Sequence, residues 1–198
     1  MKKIVFAMTM LLATATTYAQ TATQVLDKAA QKLTAKSGVK ADFKASTPQG
    51  SITGTIAVKG NKFMATTQHT KVWFDGKTQW TYLTRNDEVN VSNPKDSELQ
   101  SLNPYNFINM YKKGYKSTMR KDGSSYIVHL TADSKAKKVQ ELFITVDTKN
   151  YTPTQVKMLQ GTKWTTFDVK NLKQEKLSDG MFRFNAKDFP TAEVIDLR

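Results

Sequence analysis

Two histidines, His69 and His129, are the first side chains to weigh as catalytic or metal-binding groups. A zinc site asks for clustered ligands, such as two histidines one helical turn apart with a glutamate beside them, and neither histidine has such neighbours. Each lies next to a strand face, so structural or surface roles are expected for both. Asp87 and Glu88 are adjacent carboxylates, but they fall in a connection where solvation is their ordinary state. The nine glycines stand singly at turns, so there is no glycine-rich loop to cradle a phosphate. No Gly-x-Ser-x-Gly elbow presents a nucleophile either. Cysteine is absent, which excludes thiolate metal sites, a disulfide framework and a lipid-bearing cysteine after a leader. The residue types therefore point away from catalysis: no enzyme, no catalytic residue, no cofactor and no metal are expected.

What is in surplus is apolar and aromatic: three Trp, seven Tyr, ten Phe and eight Met. On a sheet curled around itself such residues either fill a core or line an interior. Composition alone favours the filled core.

The elements that would position them follow from periodicity. Residues 23–35 read as a helix, with Thr23 as a candidate N-cap and Val25, Leu26, Ala29, Ala30 and Leu33 on one face. From Val39 the period changes to two. Ile52, Gly54, Ile56 and Val58 alternate with Thr53, Thr55, Ala57 and Lys59; Gly60-Asn61 and Asp75-Gly76 are hairpin signals; Val89 and Val91 close this half. Residues 95–114 break the rhythm with two short helical segments, the second begun by Asn103-Pro104 and carrying Tyr105, Phe107, Ile108 and Tyr111. Strands resume at Tyr115 and run through Val128, Ile144, Val156 and Val169, and the tail holds Phe182, Phe184 and a short final strand at 194–197. Closely spaced turns with few helices predict a mainly antiparallel α+β fold, an unclosed half β-barrel with a helical lid on its concave side.

The N-terminus reads as an export leader. Lys2 and Lys3 precede an apolar run from Ile4 to Ala15, and Thr17-Tyr18-Ala19 offers small residues for cleavage after Ala19. The run is shorter than the ~18 residues a membrane span needs. Residues 20–198 are then expected to form a single domain, soluble in the periplasm and monomeric. The formal charge of +13, or +11 once Lys2 and Lys3 leave with the leader, favours anionic partners. Export argues against nucleic acid. The lysines are scattered, densest at Lys112, Lys113 and Lys116 and at Lys135, Lys137 and Lys138. Most are expected to be solvated surface, with a membrane-surface role open for part of them.

Residues 50–91 resemble the first half of a LolA-type periplasmic lipoprotein carrier. The shared pieces are the strand ending in Val58-Lys59, the next strand begun by Phe63, the Asp75-Gly76-Lys77 turn, and Trp80-Thr81-Tyr82. Residues 103–110 (NPYNFINM) resemble the family's central helical segment, and 182–198 resemble its C-terminal strand pair. The resemblance implies an apolar cavity for lipoprotein acyl chains, with the cargo received from an inner-membrane ABC-type lipoprotein-releasing complex and handed to an outer-membrane acceptor. The alternative on the same fold is a sensor module that binds lipid or lipoprotein and transports nothing. Parity and resemblance together place Phe43, Ile52, Ile56, Val58, Phe63, Trp80, Tyr82, Val89, Val91, Tyr126, Val128, Leu142, Ile144, Val146, Phe167, Val169, Phe182 and Phe184 in the acyl-chain lining. Leu102, Tyr105, Phe107, Ile108 and Tyr111 are assigned to the lid. Glutamate at Phe63 or Ile144 is expected to keep the fold and abolish acyl binding. One departure stands out: the family's lid-latching arginine, after the lysine of the first barrel strand, is Gly60 here. Lys59 and Lys62 are nearby but lack the planar fork of arginine, so no latch is assigned.

Overall fold

The computed structural model describes residues 20–95 and 110–198. The expected leader, and Leu102, Tyr105, Phe107 and Ile108 of the expected lid, lie outside the described residues. The chain enters through α1 (Ala22–Leu33). Its cap is Thr21 rather than Thr23, because the sequence Thr-Ala-Thr-Gln forms a capping box. Thr21 Oγ1 accepts from the Gln24 amide at 3.2 Å while Gln24 Oε1 accepts from the Thr21 amide at 3.0 Å. Val25, Leu26, Ala29, Ala30 and Leu33 form the buried stripe, as their spacing predicts.

Among the described residues twelve strands follow in one sheet: β1 (Val39–Thr47), β2 (Gly50–Lys59), β3 (Lys62–Thr67), β4 (Thr70–Phe74), β5 (Gln79–Leu83), β6 (Glu88–Ser92), β7 (Tyr115–Asp122), β8 (Ser125–Ala132), β9 (Val139–Asp147), β10 (Pro153–Gln160), β11 (Lys163–Gln174) and β12 (Glu193–Asp196). Their order is β12-β6-β5-β4-β3-β2-β1-β11-β10-β9-β8-β7, with β12 and β7 at the two edges, so the sheet does not close. Two hairpin meanders, β1 to β6 and β7 to β11, are thus joined by the long-range β1–β11 pairing.

All pairings are antiparallel except the last, β12 on β6. Residues 182–198 do not form the strand pair that the resemblance implies. Short 3-10 turns occupy Asp179–Phe182 and Ala186–Asp188, and only Glu193–Asp196 is strand. The tail reaches the start of β6, where the Glu193 amide donates to the Asp87 carbonyl at 2.9 Å, and so runs beside β6 in the same direction.

Two local devices shape the sheet. At Asp75-Gly76 the Asp75 carboxylate accepts from the amides of Lys77 and Thr78 at 3.0 and 2.9 Å, and Gly76 takes a φ of +102° that L side chains resist. In β11 a bulge places Asn171 at φ +52°, and its side-chain amide donates to Asp42 on β1 at 2.6 Å.

Candidate functional site: an apolar sheet face under the helix

Residues paired across a ladder point to the same face, so register fixes which side chains share a surface. One row runs Ile52, Ala45, Phe167, Val156, Ile144, Val128 and Met119 through seven neighbouring strands. Beside it run Gly54, Phe43 and Val169, then Ala65, Ile56 and Ala41, then Phe74, Phe63, Val58 and Val39. Toward the β7 edge the same face carries Leu142, Leu130 and Met158, with Tyr126 opposite Val146. The buried stripe of α1 belongs to the same cluster as these residues, so this is the helix side of the sheet.

Burial is graded along it. Val128, Leu130, Leu142, Ile144 and Val146 are fully enclosed, and Phe63, Ile56 and Val156 nearly so. Each such side chain contributes about 1.5–3 kcal/mol through burial. Phe43, Phe167 and Tyr126 are only partly covered, and Ile52 is 52% exposed. The face is packed beneath the helix and opens at Phe43, Phe167 and Ile52 toward the end of the sheet where β1 turns into β2, while Tyr126 borders the opposite end beside the β7–β8 turn. On β5 and β6 it becomes polar, with Thr81, Asn90 and Ser92 in register.

Gly54 is the tight point. A Cβ there would sit 2.2 Å from the Thr66 carbonyl oxygen and 2.8 Å from Cζ of Phe43, whose ring lies over the glycine. Only a residue without a side chain lets β2 and β3 approach so closely beneath an aromatic ring.

Phe43, Ile52, Ile56, Val58, Phe63, Tyr126, Val128, Leu142, Ile144, Val146, Phe167 and Val169 are thus brought together. The expectation of a single lining is corrected for the other six, Trp80, Tyr82, Val89, Val91, Phe182 and Phe184. Ala57, Met64, Trp73, Trp80 and Val91 form a row on the opposite face, with Tyr82 and Val89 beside them. The tail covers that face: Phe182 is fully buried against Ala57 and Leu177, and Trp73 meets Phe184 and Phe189 edge-on at 5.6 and 5.5 Å. Tyr82 packs on Phe189 at 4.7 Å. The physical reason is parity. The four-residue Asp75–Thr78 turn aligns Trp73 with Trp80, so β5 turns its aromatic side away from the helix.

Leu130, Val156 and Met158 belong to the helix-side rows although they are not among the expected lining. The same alternation that singles out Val128 and Ile144 points to them.

Charged and polar groups fasten both sides. Tyr111, the expected lid residue within the described segments, is buried, and its hydroxyl donates to Asp27 on α1. Burial first, then Asp27, pushes that phenol well above its ordinary range. At Gly60, φ is +61° and nothing lies within 4 Å of where a Cβ would stand, so the place of the family's latch is an open turn. Lys59 and Lys62 turn to the tail instead, meeting the Asp179 carboxylate at 3.1 and 3.2 Å, and Lys59 also donates to the Leu177 carbonyl at 2.8 Å. Arg183 pairs with Asp75 at 3.1 Å. His129 stacks on Phe143 at 4.2 Å and reaches Glu141 at 2.9 Å on the tail side, while His69 sits exposed in a turn. Among the described residues no group of His, Cys, Asp or Glu is arranged to hold a metal, and no helix is long and apolar enough to cross a membrane.

An unclosed, almost wholly antiparallel sheet with an amphipathic helix laid on one apolar face is a half-barrel of the carrier type. The family model for outer membrane lipoprotein carrier protein LolA matches residues 12–162, and the chain belongs to that family. Among solved structures it is similar to an uncharacterized conserved protein from Thermus thermophilus, with a TM-score of 0.61 at 12% identity over 89% of this chain and 99% of that one. A DUF1329 family protein from Desulfovibrio piger follows at 0.50 and 11%, over 85% and 99%. A LolA superfamily protein from Nitrosomonas europaea aligns at 0.47 and 12%, over 84% and 99%. Comparison with curated proteins finds no match.

Proposed function

We propose that this protein carries the acyl chains of lipoproteins through the periplasm, holding them against the helix side of the sheet. It receives them from an inner-membrane ABC-type lipoprotein-releasing complex and passes them to an outer-membrane acceptor. It acts as a monomer and performs no chemistry. The observation that carries the reading is the graded apolar face, enclosed at Val128 and Ile144 and open at Phe43, Phe167 and Ile52.

The energetics favour such a surface. An acyl chain gains about 0.8 kcal/mol for each methylene removed from water, so several long chains are worth tens of kcal/mol in a membrane. A carrier has to replace much of that burial and still release its cargo, and non-covalent affinity saturates near about 20 kcal/mol. Transfer between two apolar environments needs only a small difference between them. No cofactor is required, and the work of extraction falls to the donor complex.

The test is a release assay. Purified protein is incubated with spheroplasts synthesising a labelled lipoprotein, and the supernatant is searched for a one-to-one complex. Release that depends on active donor membranes is expected. If the folded protein binds a fluorescent fatty acid yet releases nothing, the shuttle is wrong and a non-transporting lipid-binding module takes its place.

A further inference from the structure

A group of lysines gathers at one corner of the sheet. Lys163 closes the β10–β11 hairpin opposite Gln160. The loop from β8 to β9 brings Lys135, Lys137 and Lys138 beside Gln160 and Gly161. Lys137 also reaches Gly114 and lies 5.3 Å from the Tyr115 ring, where β7 begins between Lys113 and Lys116. All of these but Lys137 are exposed, and none makes an ion pair among the described residues. The carboxylates nearby are Asp133 in the same loop and Glu141, which faces His129.

Aromatic surface adjoins this charge. Trp164, next to Lys163, lies 5.9 Å from Phe143, with Lys157 over its ring at 4.6 Å. Both rings remain partly exposed. The β1–β2 turn is the neighbouring hairpin at this end, and it carries the exposed Ile52 that begins the apolar row. The basic corner and the open end of the apolar face therefore lie at the same end of the sheet.

We propose that this corner docks on an anionic bilayer surface, lysines against lipid phosphates and Trp164 at headgroup depth. The cationic residues at the corner are lysines throughout, without arginine. Protein interfaces select arginine for its rigid fork and are depleted in lysine, whereas flexible point charges on long stems suit a diffuse layer of phosphates. An indole beside the charge is what an interfacial layer accommodates. Docking stands on charge and aromatic placement alone. Its use, presenting the open apolar end to the membrane, rests on the carrier reading.

The test is partitioning of the full chain, recovered from an exporting host, onto phosphatidylcholine vesicles with and without about one-third phosphatidylglycerol. Binding is expected only to the anionic vesicles and fades with salt. Replacing Lys135, Lys137 and Lys138 together by Gln is expected to lower the partition coefficient about 100-fold, with about fivefold for each lysine lost. The matched variant Lys36→Gln, Lys77→Gln, Lys149→Gln, at the other end of the sheet, is expected to lose far less. Brominated lipid should quench tryptophan emission in the native chain, and Trp164→Phe should remove that quenching. Equal losses in the two triple variants, equal binding to neutral vesicles, or no binding at all would overturn the proposal; the last would leave an acidic protein as the partner. Vesicle binding without lipoprotein release would sink the carrier reading and leave the docking intact.

Discussion

The ring of Phe43 lies directly over Gly54 on the neighbouring strand, with Cζ 2.8 Å from where a Cβ of residue 54 would stand. The same Cβ would meet the Thr66 carbonyl at 2.2 Å, a contact with backbone that no rotamer change relieves. Gly54→Ala is therefore expected to destabilise the protein by roughly 1–3 kcal/mol through overpacking. The midpoint of urea unfolding would show it. An unshifted midpoint would mean that β2 and β3 separate at no cost.

The open end of the apolar face is where binding can be tested without losing the fold. Ile144 and Phe63 are enclosed, so glutamate at either is expected to unfold the chain, contrary to the expectation from sequence that the fold survives. Ile52 is 52% exposed, and Ile52→Asp should leave thermal stability nearly unchanged. Loss of its contact with an acyl chain is expected to weaken fluorescent fatty-acid binding about tenfold. Wild-type affinity in this variant would remove Ile52 from the site.

How far the site could be read from sequence depended on what carries parity. Within a strand the alternation is local, and Val128, Leu142, Ile144 and Val146 fall on one face as read. Between strands parity passes through turns and pairing register, which the alternation does not contain. Trp80, Tyr82, Val89 and Val91 look as apolar as any lining residue, yet they face the tail. The covering partner, Phe182 to Phe189, is distant in sequence and built of short 3-10 turns and irregular chain, so no period announces it. The α1 stripe was legible because five buried residues repeat at helical spacing, whereas its cap moved by two residues because Thr21 and Thr23 are chemically alike.

The two faces should separate under mutation. Phe182 is fully buried against the tail side. Phe182→Ala is expected to cost about 3–5 kcal/mol through lost burial and the cavity left behind. Fatty-acid affinity, measured well below the unfolding transition, should stay at the native value because the helix side is untouched. A parallel loss of affinity would show that the tail and the helix side act as one unit.

The tail should loosen in acid. Hydrogen bonds from Lys59 and Lys62, with their charge, hold the Asp179 carboxyl below its ordinary range. Burial pushes Asp75 up, but the amides of Thr78 and Lys77 and the Arg183 guanidinium outweigh it and leave the carboxyl lowered. A carboxyl with a depressed folded pKa binds its proton less readily in the folded chain than in the unfolded one. Its contribution is thus fully present above the ordinary carboxylate range, about pH 4, and is lost as pH falls through the folded value. Amide exchange in residues 177–189, corrected for intrinsic rates, is expected to lose protection as pH falls below about 4, ahead of β8 and β9. In Asp179→Asn the native acid step should shrink, since that residue no longer titrates, and protection should already be lower at neutral pH. An unchanged acid step in this variant would show that the Lys59–Asp179–Lys62 contact does not hold the tail.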